Sequence, residues 1–446
     1  MNVLHVSTWK RRCGIAGFTE SVVDHLARAG VENDVCPLDL PALRTLTSAE
    51  FLDDMDRMAG MARGYDLIHV QHEFSFFTGS GQGFETIGHF ARLLDSLRAA
   101  GRPVVVTFHS GAALSTILPP ADAGGPGGGF AAFLKWGLRK ARVRQAAARL
   151  LRMWRRRVVK HFDGRPGSFR AVVHTPRTRI EMLNSGMAPG CVSVVPLGCD
   201  LRDPSYFQID RAAARRSLRL SPDATLLTMF GFVTAYKGHL PAVQALRKLP
   251  PQYHLAIVGG PHPENRFDRT LDDVLAAWEG EDPQRLRVTG FVPRPVVDEY
   301  YAATDICLAP FLPSNTAGSA SLSWGLSSGK PTIASNIPAF AEIEEAGRCL
   351  QLCTPNAVHE LAWQIQRLAG DDGLREQLAQ NALQYATEQS WPRVIEKLLA
   401  VYFEMLGDSE PSRAGAGRCT SIGQRPVSIP VSARQPELAP ASAVTL

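Results

Sequence analysis

The sequence predicts an α/β fold of two doubly wound, Rossmann-like halves that face each other across a cleft. With 446 residues, the chain is longer than one hydrophobic core usually accommodates. Short runs rich in Val, Ile and Leu alternate with helical patterns, which is typical of parallel strands joined by crossover helices. We predict five buried strands in each half, ten in all: 3–7, 66–72, 104–109, 171–175, 192–197, 226–232, 254–260, 286–291, 305–311 and 331–335.

The segments between and after these strands set the predicted domain organisation. A polar stretch that follows Gly198-Cys199-Asp200 marks the boundary between the two halves. A Pro/Gly-rich loop and a strongly basic stretch interrupt the first half as an insertion, and the end of the chain is rich in Pro, Ser and Ala with few aromatic residues, a composition typical of disorder. The predicted parts are a first domain (1–205, with the basic insertion at 119–165), a second domain (206–390), a helix (391–407) and a disordered tail (408–446).

Composition restricts the class of protein. Hydrophobic residues make up 45% of the chain and charged residues 20%, the balance of a globular enzyme. The first residues lack the charged and apolar regions of a signal peptide, and no apolar run reaches the roughly 18 residues that span a bilayer, so we expect a cytoplasmic protein whose membrane contact, if any, is peripheral. Of eight cysteines, only Cys349 and Cys353 lie close together, without a second pair, so we predict buried thiols and no metal site.

The turn after the first strand, around Gly14, is the first candidate ligand site. Small residues between a strand and a helix let the backbone approach a ligand, and amide groups at a helix N-terminus attract phosphate. The turn lacks the full spaced-glycine fingerprint of dinucleotide sites, so an ordinary βα turn is the alternative interpretation.

Two further candidates lie in the second half. Gly231 and Lys237 follow its first strand, at the end where open α/β sheets bind ligands, and an ammonium there can neutralise a diphosphate. The alternative is a solvated lysine at the start of a helix. Gly318, Ser319 and Ala320 open a later helix, where small residues favour a nest of backbone amides that binds anions.

The order and spacing of these motifs resemble the retaining family 4 glycosyltransferases, which have the GT-B fold. No single motif is specific, and the resemblance covers roughly residues 1–406 without the basic insertion. Besides the turn at Gly14, the matching motifs are His-Val-Gln-His-Glu (69–73), Thr-Phe-His (107–109), Pro-Leu-Gly-Cys-Asp (196–200), Tyr-Lys-Gly (236–238), Ala-Ile-Val-Gly-Gly (256–260), Gly-Phe-Val (290–292) and Gly-Lys-Pro-Thr-Ile-Ala-Ser (329–335).

The resemblance implies a role for each candidate residue. Lys237 and Gly231 would lie at the diphosphate of a nucleotide-sugar donor, which Gly14 would approach from the first domain. The amides of Gly318, Ser319 and Ala320 would cradle the same diphosphate. His109 would lie near the transferred sugar as a second catalytic residue beside Lys237, and His72 and Glu73 would meet the acceptor or the sugar. For each histidine the alternative is a packing role at a strand end.

This chain departs from the family pattern at three positions. The family usually places two glutamates eight positions apart before the Gly-x-Pro turn, and here those positions hold Thr316 and Trp324. An arginine that usually precedes the lysine by five residues is replaced by Phe232. Some members of the family carry a small-hydroxyl loop like the one at 318–321, and this chain is similar to them. The substitutions leave open which donor is used and how active the protein is.

The resemblance implies sugar transfer, with retention, to a glycan or lipid-linked acceptor in polysaccharide or glycolipid biosynthesis. The alternatives are a weak or inactive homologue that binds a sugar nucleotide or a partner enzyme, and a sugar-nucleotide epimerase, which would need carboxylates that this chain does not offer at the expected turn. No Asp-x-Asp motif is placed to hold a divalent ion on the diphosphate, so we expect metal independence and no cofactor besides the donor.

The basic segment at 130–160 contains eleven Lys and Arg residues and no Asp or Glu. Apolar residues are interleaved with the basic ones, so a helix here could lie on an anionic membrane surface, where lipid-linked acceptors are found. The alternative is a helix that packs on the first domain and presents a solvated basic face. No recognition module accompanies the segment, so we do not expect nucleic acid as a partner.

Overall fold

The computed structural model describes residues 1–78, 84–110, 130–164, 169–221, 223–263, 268–313, 316 and 318–407, with the backbone alone at 84 and 130–140. These residues form two compact units. Unit 1 comprises Met1–Pro196, Thr316 and residues from Val394 to 407, and unit 2 comprises Leu197–Ser314 and Gly318–Arg393. The chain thus changes unit after Pro196, whereas the sequence analysis placed the boundary at 205.

Unit 1 is built on a sheet of six parallel strands with the order β2-β1-β3-β4-β5-β6. The strands are β1 (Asn2–Ser7), β2 (Glu32–Pro37), β3 (Leu67–His72), β4 (Val104–Phe108), β5 (Phe169–Val173) and β6 (Val192–Val194). Its helices are α1 (Gly14–Arg28), α2 (Leu40–Leu43), α3 (Ser48–Met61), α4 (Phe84–Ala100), α5 (Phe130–Arg157) and α6 (Pro176–Ser185).

Unit 2 repeats this plan with six parallel strands in the order β12-β11-β10-β7-β8-β9. The strands are β7 (Thr225–Phe230), β8 (Tyr253–Val258), β9 (Leu286–Val288), β10 (Ile306–Ala309), β11 (Thr332–Ser335) and β12 (Leu350–Cys353). The helices are α7 (Arg211–Ser217), α8 (His239–Leu246), α9 (Thr270–Trp278), α10 (Arg294–Ala303), α11 (Ala320–Ser327), α12 (Pro338–Gly347), α13 (Val358–Ala369) and α14 (Asp372–Glu388). The last helix, α15 (Trp391–Leu406), belongs to unit 1 from Val394 onward.

The predicted α/β class of two Rossmann-like units is confirmed, but each sheet has one strand more than the five we predicted. The additional strands, β2 and β12, lie at the edges of their sheets. Because an edge strand is less buried than a central one, its sequence lacks the continuous apolar run by which we recognised the others. The strand β2 reads Glu-Asn-Asp-Val-Cys-Pro, with only Val35 and Cys36 buried.

Each sheet has one point at which the direction of strand addition reverses. In unit 1 the first strand, β1, pairs with β2 on one side and β3 on the other, and in unit 2 the strand β7 pairs with β8 on one side and β10 on the other. Open α/β sheets bind ligands in the crevice at the carboxyl ends of the strands at such a point. The topology therefore predicts that ligand-binding residues lie in the segments that follow β1 and β3 in unit 1 and β7 and β10 in unit 2.

The basic segment forms the 28-residue helix α5. Near its end, Leu150 and Trp154 are buried, and the guanidinium of Arg155 donates to the backbone carbonyls of Asn184 and Ser185 at 3.1 and 3.0 Å. Packing and a basic exposed face are therefore both present in one helix. No helix in the described ranges combines the length and the apolarity needed to cross a membrane. The predicted loop at 119–129 and the predicted tail at 408–446 fall outside the described residues.

Candidate functional site

In unit 2 the segments after β7 and β10 are neighbours in space although they are distant in sequence. The two strands pair in parallel, with Cys307 beside Thr228, so their carboxyl ends meet at the same edge of the sheet. The segment after β7 carries Gly231 and Lys237, and the segment after β10 leads into α11. Two of the candidates from the sequence are thus brought together at the strand-order reversal of unit 2.

Lys237 is a buried ammonium that has no acceptor among the described residues. Its exposed fraction is only 8%, Nζ makes no hydrogen bond or ion pair with the described residues, and the ring of Phe232 lies 6.0 Å from Nζ to its centroid. Removal from water disfavours the charged form, which lowers the pKa of Lys237 from 10.5 to about 8. Buried charges are normally paired, so an unpaired buried ammonium makes Lys237 a candidate binding residue for an anion.

The glycines around Lys237 make room for this arrangement. At Gly231, where φ is +103°, an added Cβ would lie 2.6 Å from Lys237 Nζ and 3.6 Å from Ser321 Cβ. At Gly238, where φ is +74°, an added Cβ would lie 1.8 Å from the carbonyl oxygen of Pro310. A side chain at Gly231 would therefore displace the ammonium, and one at Gly238 would disrupt the turn that presents it.

The start of α11 lies beside this lysine. Ser319 caps the helix: its hydroxyl accepts from the amide of Leu322 at 3.2 Å and shares a hydrogen bond of 2.9 Å with the hydroxyl of Ser321. The first amides of an α-helix, here those of Ala320 and Ser321, have no carbonyl partner within the helix. Because Ser321 is also next to Gly231, the helix N-terminus and the ammonium offer positive charge to the same region.

Two of the three positions that depart from the family pattern, Trp324 and Phe232, make aromatic contacts. The guanidinium of Arg202 lies 3.9 Å from the centroid of the Trp324 ring, so Trp324 takes part in packing where the family usually has a carboxylate. The ring of Phe232 lies 4.5 Å from that of His262 and 5.7 Å from that of Phe291, between centroids. Phe232 thus supplies a ring, 6.0 Å from Lys237 Nζ to its centroid, where the family usually has a second cation.

In unit 1 the candidates Gly14 and His109 are connected through α1. Gly14 is the first residue of this helix, and an added Cβ there would meet nothing within 4 Å, so its surroundings are open. One turn later on the same face, Phe18 packs edge-on against the ring of His109, with centroids 5.0 Å apart. His109 follows β4, is half-buried, and its amide donates to the carbonyl of His72 at 3.2 Å.

Glu73 directly follows β3, as His109 follows the neighbouring β4, and it is half-buried. One carboxylate oxygen accepts from the amide of Phe74 at 3.0 Å, and the other accepts from the hydroxyl of Ser110. Burial raises the pKa of Glu73, and these two hydrogen bonds oppose that rise. The carboxylate is therefore at the rim where the sequence placed it, held by the segment that carries His109.

His72 does not lie at this rim. Its ring is fully buried on the opposite face of the sheet, among the rings of five residues at centroid distances of 4.2 to 6.2 Å: Phe74, Phe77, Phe90, Phe108 and Trp154. Burial lowers its pKa to about 3, so the ring is neutral and acts as a packing residue. The placement at a ligand surface is corrected because alternate residues of a strand face opposite sides, and His72 takes the core side.

The structure adds two residues that the sequence analysis missed. Gln71 and His174 are buried and hydrogen-bond the two ring nitrogens of His109, at 2.9 and 3.2 Å. The sequence does contain a signal for this contact. His69 and Gln71 are polar residues at alternate positions of an otherwise apolar strand, which indicates a polar face of the sheet at this point. His174 follows β5 just as His109 follows β4, so the parallel pairing of these strands places the two side by side.

Comparison with known proteins finds relatives among glycosyltransferases. Residues 224–371, most of unit 2, match a family model described as glycosyl transferases group 1. A D-inositol 3-phosphate glycosyltransferase of Actinosynnema mirum is 30% identical over 230 residues, which are 48% of this chain and 52% of that protein. A D-inositol 3-phosphate glycosyltransferase 1 of Catenulispora acidiphila is 26% identical over 356 residues, 77% of this chain and 74% of that protein. The chain thus spans about half the length of the curated relatives it matches at 30% identity.

Solved structures resemble the whole described fold at low identity. The sucrose-phosphate synthase of Thermosynechococcus elongatus superposes with a TM-score of 0.66 at 15% identity, over 91% of this chain and 100% of that one. Anabaena HepE in complex with UDP-glucose superposes with a TM-score of 0.63 at 15% identity and the same coverage. The chain therefore has the GT-B fold of glycosyltransferases, and its second unit carries the group 1 signature.

Proposed function

We propose that this protein is a glycosyltransferase that moves a sugar from a nucleotide-sugar donor to a glycan or lipid-linked acceptor, with retention of configuration, in polysaccharide or glycolipid biosynthesis. The observation that carries the proposal is the buried ammonium of Lys237, without an acceptor in the described chain, beside the N-terminus of α11. The names of the relatives support the same activity.

Unit 2 would bind the nucleoside diphosphate. As the bond between the sugar and the diphosphate breaks, negative charge grows on the departing phosphate, and preorganised cations and amides stabilise that charge most effectively when water is excluded. Lys237 and the amides of Ser319 and Ala320 would supply this stabilisation. Because Phe232 replaces the usual arginine, loss of Lys237 would remove the side-chain cation of this turn.

Unit 1 would contact the sugar and the acceptor. His109 is half-buried at the end of β4, and Glu73 follows the neighbouring strand with its pKa raised by burial. Gly14 opens α1 on the same side as His109, through Phe18. His109 and Glu73 offer hydrogen-bonding groups of the kind that hold sugar hydroxyls. Because no Asp-x-Asp motif is placed to hold a divalent ion on the diphosphate, we propose that the reaction needs no metal.

A donor screen tests the proposal. The full chain is incubated with UDP, GDP, ADP and their sugars, and thermal stability and release of the nucleoside diphosphate are both measured. A real donor at a hundredfold excess over its dissociation constant should stabilise the fold by about 2.7 kcal/mol. Binding with transfer or slow hydrolysis supports the enzyme, and failure of every sugar nucleotide to bind refutes the proposal.

The second candidate, a homologue that binds a sugar nucleotide without turnover, is favoured by one observation. The two positions where the family usually has glutamates carry Thr316 and Trp324, and Trp324 stacks on Arg202. The same screen separates the two candidates, because a donor that stabilises the protein but is neither transferred nor hydrolysed identifies the binding protein.

We further propose that α5 brings the protein to an anionic membrane surface on the inner face of the membrane. The helix has no acidic residue, and Arg142, Arg144 and Arg149 are exposed before the packed segment begins at Leu150. Each basic residue near an anionic bilayer is worth about 1 kcal/mol. The double variant Arg142→Glu and Arg144→Glu should therefore lower binding to vesicles containing phosphatidylserine by roughly 30-fold or more.

Two exposed lysines outside α5 provide a control with the same change of charge. The double variant Lys248→Glu and Lys397→Glu should bind the same vesicles as the unchanged protein does. Equal losses in both double variants would indicate a dependence on net charge alone, and no loss in the α5 variant would refute the membrane role.

A further inference from the structure

We propose that a buried chain of hydrogen bonds, from Tyr402 to the backbone carbonyl of Val195, holds the imidazole of His109 as the neutral tautomer protonated on Nδ1. Gln71 and His174 are then positioning residues for His109. The assignment of His109 to the sugar rests on the proposed function, whereas the positions of the protons follow from unit 1 alone.

The chain of hydrogen bonds lies on one face of the sheet. His69 and Gln71 are alternate residues of β3, and they face the same side as Thr107 of β4, which pairs with Gln71. His69, Gln71 and Thr107 are at most 1% exposed, and Tyr402 of α15 is fully buried against them. These polar groups therefore have to find their hydrogen-bond partners within the protein.

The contacts form one continuous series. At its first end, Tyr402 Oη lies 2.6 Å from His69 Nδ1, and His69 Nε2 lies 2.7 Å from Thr107 Oγ1 and 3.2 Å from the Gln71 amide. The Gln71 amide also lies 2.9 Å from His109 Nε2. The other ring nitrogen, His109 Nδ1, lies 3.2 Å from His174 Nε2, and His174 Nδ1 lies 3.0 Å from Val195 O.

The carbonyl at the end of the series sets the proton of its neighbour. A carbonyl only accepts, so Nδ1 of His174 carries a proton and donates to Val195. In a neutral His174 ring, Nε2 then holds a lone pair and accepts, which requires His109 to donate from Nδ1. A neutral His109 consequently presents a lone pair on Nε2.

The remaining bonds follow from this lone pair. The Gln71 amide must turn its NH₂ group to His109 and its oxygen to His69. Nε2 of His69 then donates to Thr107 and to that oxygen, and Nδ1 of His69 accepts from the hydroxyl of Tyr402. Every contact in the series has one donor and one acceptor, and all three rings are neutral.

The opposite order requires an additional proton. In the structure the Gln71 amide is oriented with its oxygen 2.9 Å from Nε2 of His109. With this orientation Nε2 of a neutral His109 must donate and its Nδ1 must accept. His174 then donates from both nitrogens and becomes an imidazolium. Burial lowers the pKa of His174 and, to a greater extent, that of His109, and no carboxylate in the described ranges hydrogen-bonds either ring. The two orders thus differ by one buried proton and a half-turn of the Gln71 amide, and the neutral order avoids the buried charge.

This order decides what His109 offers to a sugar. With Nδ1 committed to His174, the Nε2 lone pair accepts from a sugar hydroxyl that displaces the Gln71 amide. In the reversed order Nε2 would donate instead. Gln71 therefore holds His109 in this order before the sugar binds, and His174 keeps the order when the sugar takes the place of the Gln71 amide at Nε2.

Nitrogen NMR of the full chain labelled on its histidine rings tests the proton positions directly, without activity. We expect His109 to be protonated on Nδ1 and bare on Nε2. The nearly isosteric Gln71→Glu places a carboxylate, which only accepts, beside Nε2, so it should reverse the tautomer and add a proton to His174. Protonation of Nε2 in the unchanged protein, or an unaltered tautomer in Gln71→Glu, would overturn the proposal.

A pair of tyrosine variants tests the far end of the chain. Tyr402→Phe removes the donor to His69 Nδ1, so His69 should become a mixture of tautomers, whereas His109, whose proton is set by the carbonyl of Val195 through His174, should stay protonated on Nδ1. Tyr65→Phe removes a hydroxyl that donates to Asp34 at 3.0 Å in the same unit but outside the series, and it should leave the spectra of His69 and His109 unchanged. If Gln71→Glu fails to fold, this pair and the unchanged protein still decide the outcome, because an unaltered His69 in Tyr402→Phe, or protonation of His109 on Nε2, counts against the chain.

Kinetics with the donor found by the screen tests the positioning role. Gln71→Glu should lower kcat by about tenfold, the value of one misdirected hydrogen bond, with little change in the KM for the donor, and Tyr65→Phe should change neither. A kcat that survives tautomer reversal would overturn the positioning role. Absence of both transfer and donor hydrolysis in the unchanged protein would instead refute the proposed function, while the spectra would still decide the proton positions.

Discussion

Replacing Lys237 by Met should stabilise the unliganded protein while it weakens donor binding. The side chain is nearly isosteric, so packing is retained and the buried charge is lost. The pKa of Lys237 is lowered from 10.5 to about 8, and at 1.36 kcal/mol for each unit of pKa this corresponds to about 3 kcal/mol of destabilisation of the charged form.

The pH dependence gives the sign of this effect. Below pH 8 Lys237 is protonated in both the folded and the unfolded state, so the full cost of the buried charge is present. Between pH 8 and 10.5 the unfolded state binds more protons, so the stability of the unchanged protein rises with pH through this window. The gain from Lys237→Met should therefore approach 3 kcal/mol at pH 7 and disappear by about pH 10.5.

The binding effect has the opposite sign. A hydrogen bond to a charged group contributes about 1.5 to 3 kcal/mol, so the affinity of Lys237→Met for its nucleoside diphosphate should fall by roughly 10- to 150-fold. Because charge builds up on the leaving group, kcat should fall by a further 10² to 10³.

Urea unfolding at pH 7 and calorimetric titration with the diphosphate measure the two effects. The exposed Lys248→Met in the same unit is the matched control and should change neither. A destabilised Lys237→Met that still bound the diphosphate with full affinity would refute the reasoning, because it would identify Lys237 as a structural residue.

Three further predictions follow from the same geometry. The affinity of the unchanged protein for the diphosphate should fall about tenfold for each pH unit above 8, because Lys237 loses its proton. The affinity of Lys237→Arg should not change over the same pH range, because arginine remains charged. Gly231→Ala should weaken donor binding because its Cβ would lie 2.6 Å from Lys237 Nζ and push the ammonium aside, whereas Gly14→Ala has open space and should keep wild-type thermal stability; unaltered binding in Gly231→Ala would count against this packing. Donor turnover should be unchanged by EDTA, and restoration of lost activity by Mg²⁺ would contradict metal independence.

Much of the fold could be predicted because buried parallel strands have continuous apolar runs. The central strands, such as Val104–Phe108, are apolar on both faces since helices cover both sides of the sheet. Edge strands lose this signal, which is why Glu32–Pro37 and Leu350–Cys353 were missed. The candidate at Lys237 was identified by its place after a strand, but its lack of a partner in the described chain was visible only in three dimensions.

The histidines show where local reasoning failed. His72 and His109 both end strands, and the sequence treated them alike. The alternation of side chains along β3 and β4 puts His72 into the aromatic core and His109 on the opposite face. That alternation could have been applied to His69, Gln71 and His72 from the sequence, but the partners His174 and Tyr402 come from β5 and α15, and no local pattern connects them to His109.

The sequence by itself determined the α/β class, the two-unit plan and the strand ends that carry Gly231, Lys237 and His109, because apolar runs and turn residues act over a few neighbouring positions. Only the tertiary structure decided which of these residues meet. The pairing of β7 with β10 brings Lys237 to the start of α11, and burial leaves its ammonium without an acceptor in the described chain. Both are consequences of contacts between distant parts of the chain, and such contacts set the desolvation and the hydrogen-bond partners on which the proposed chemistry depends.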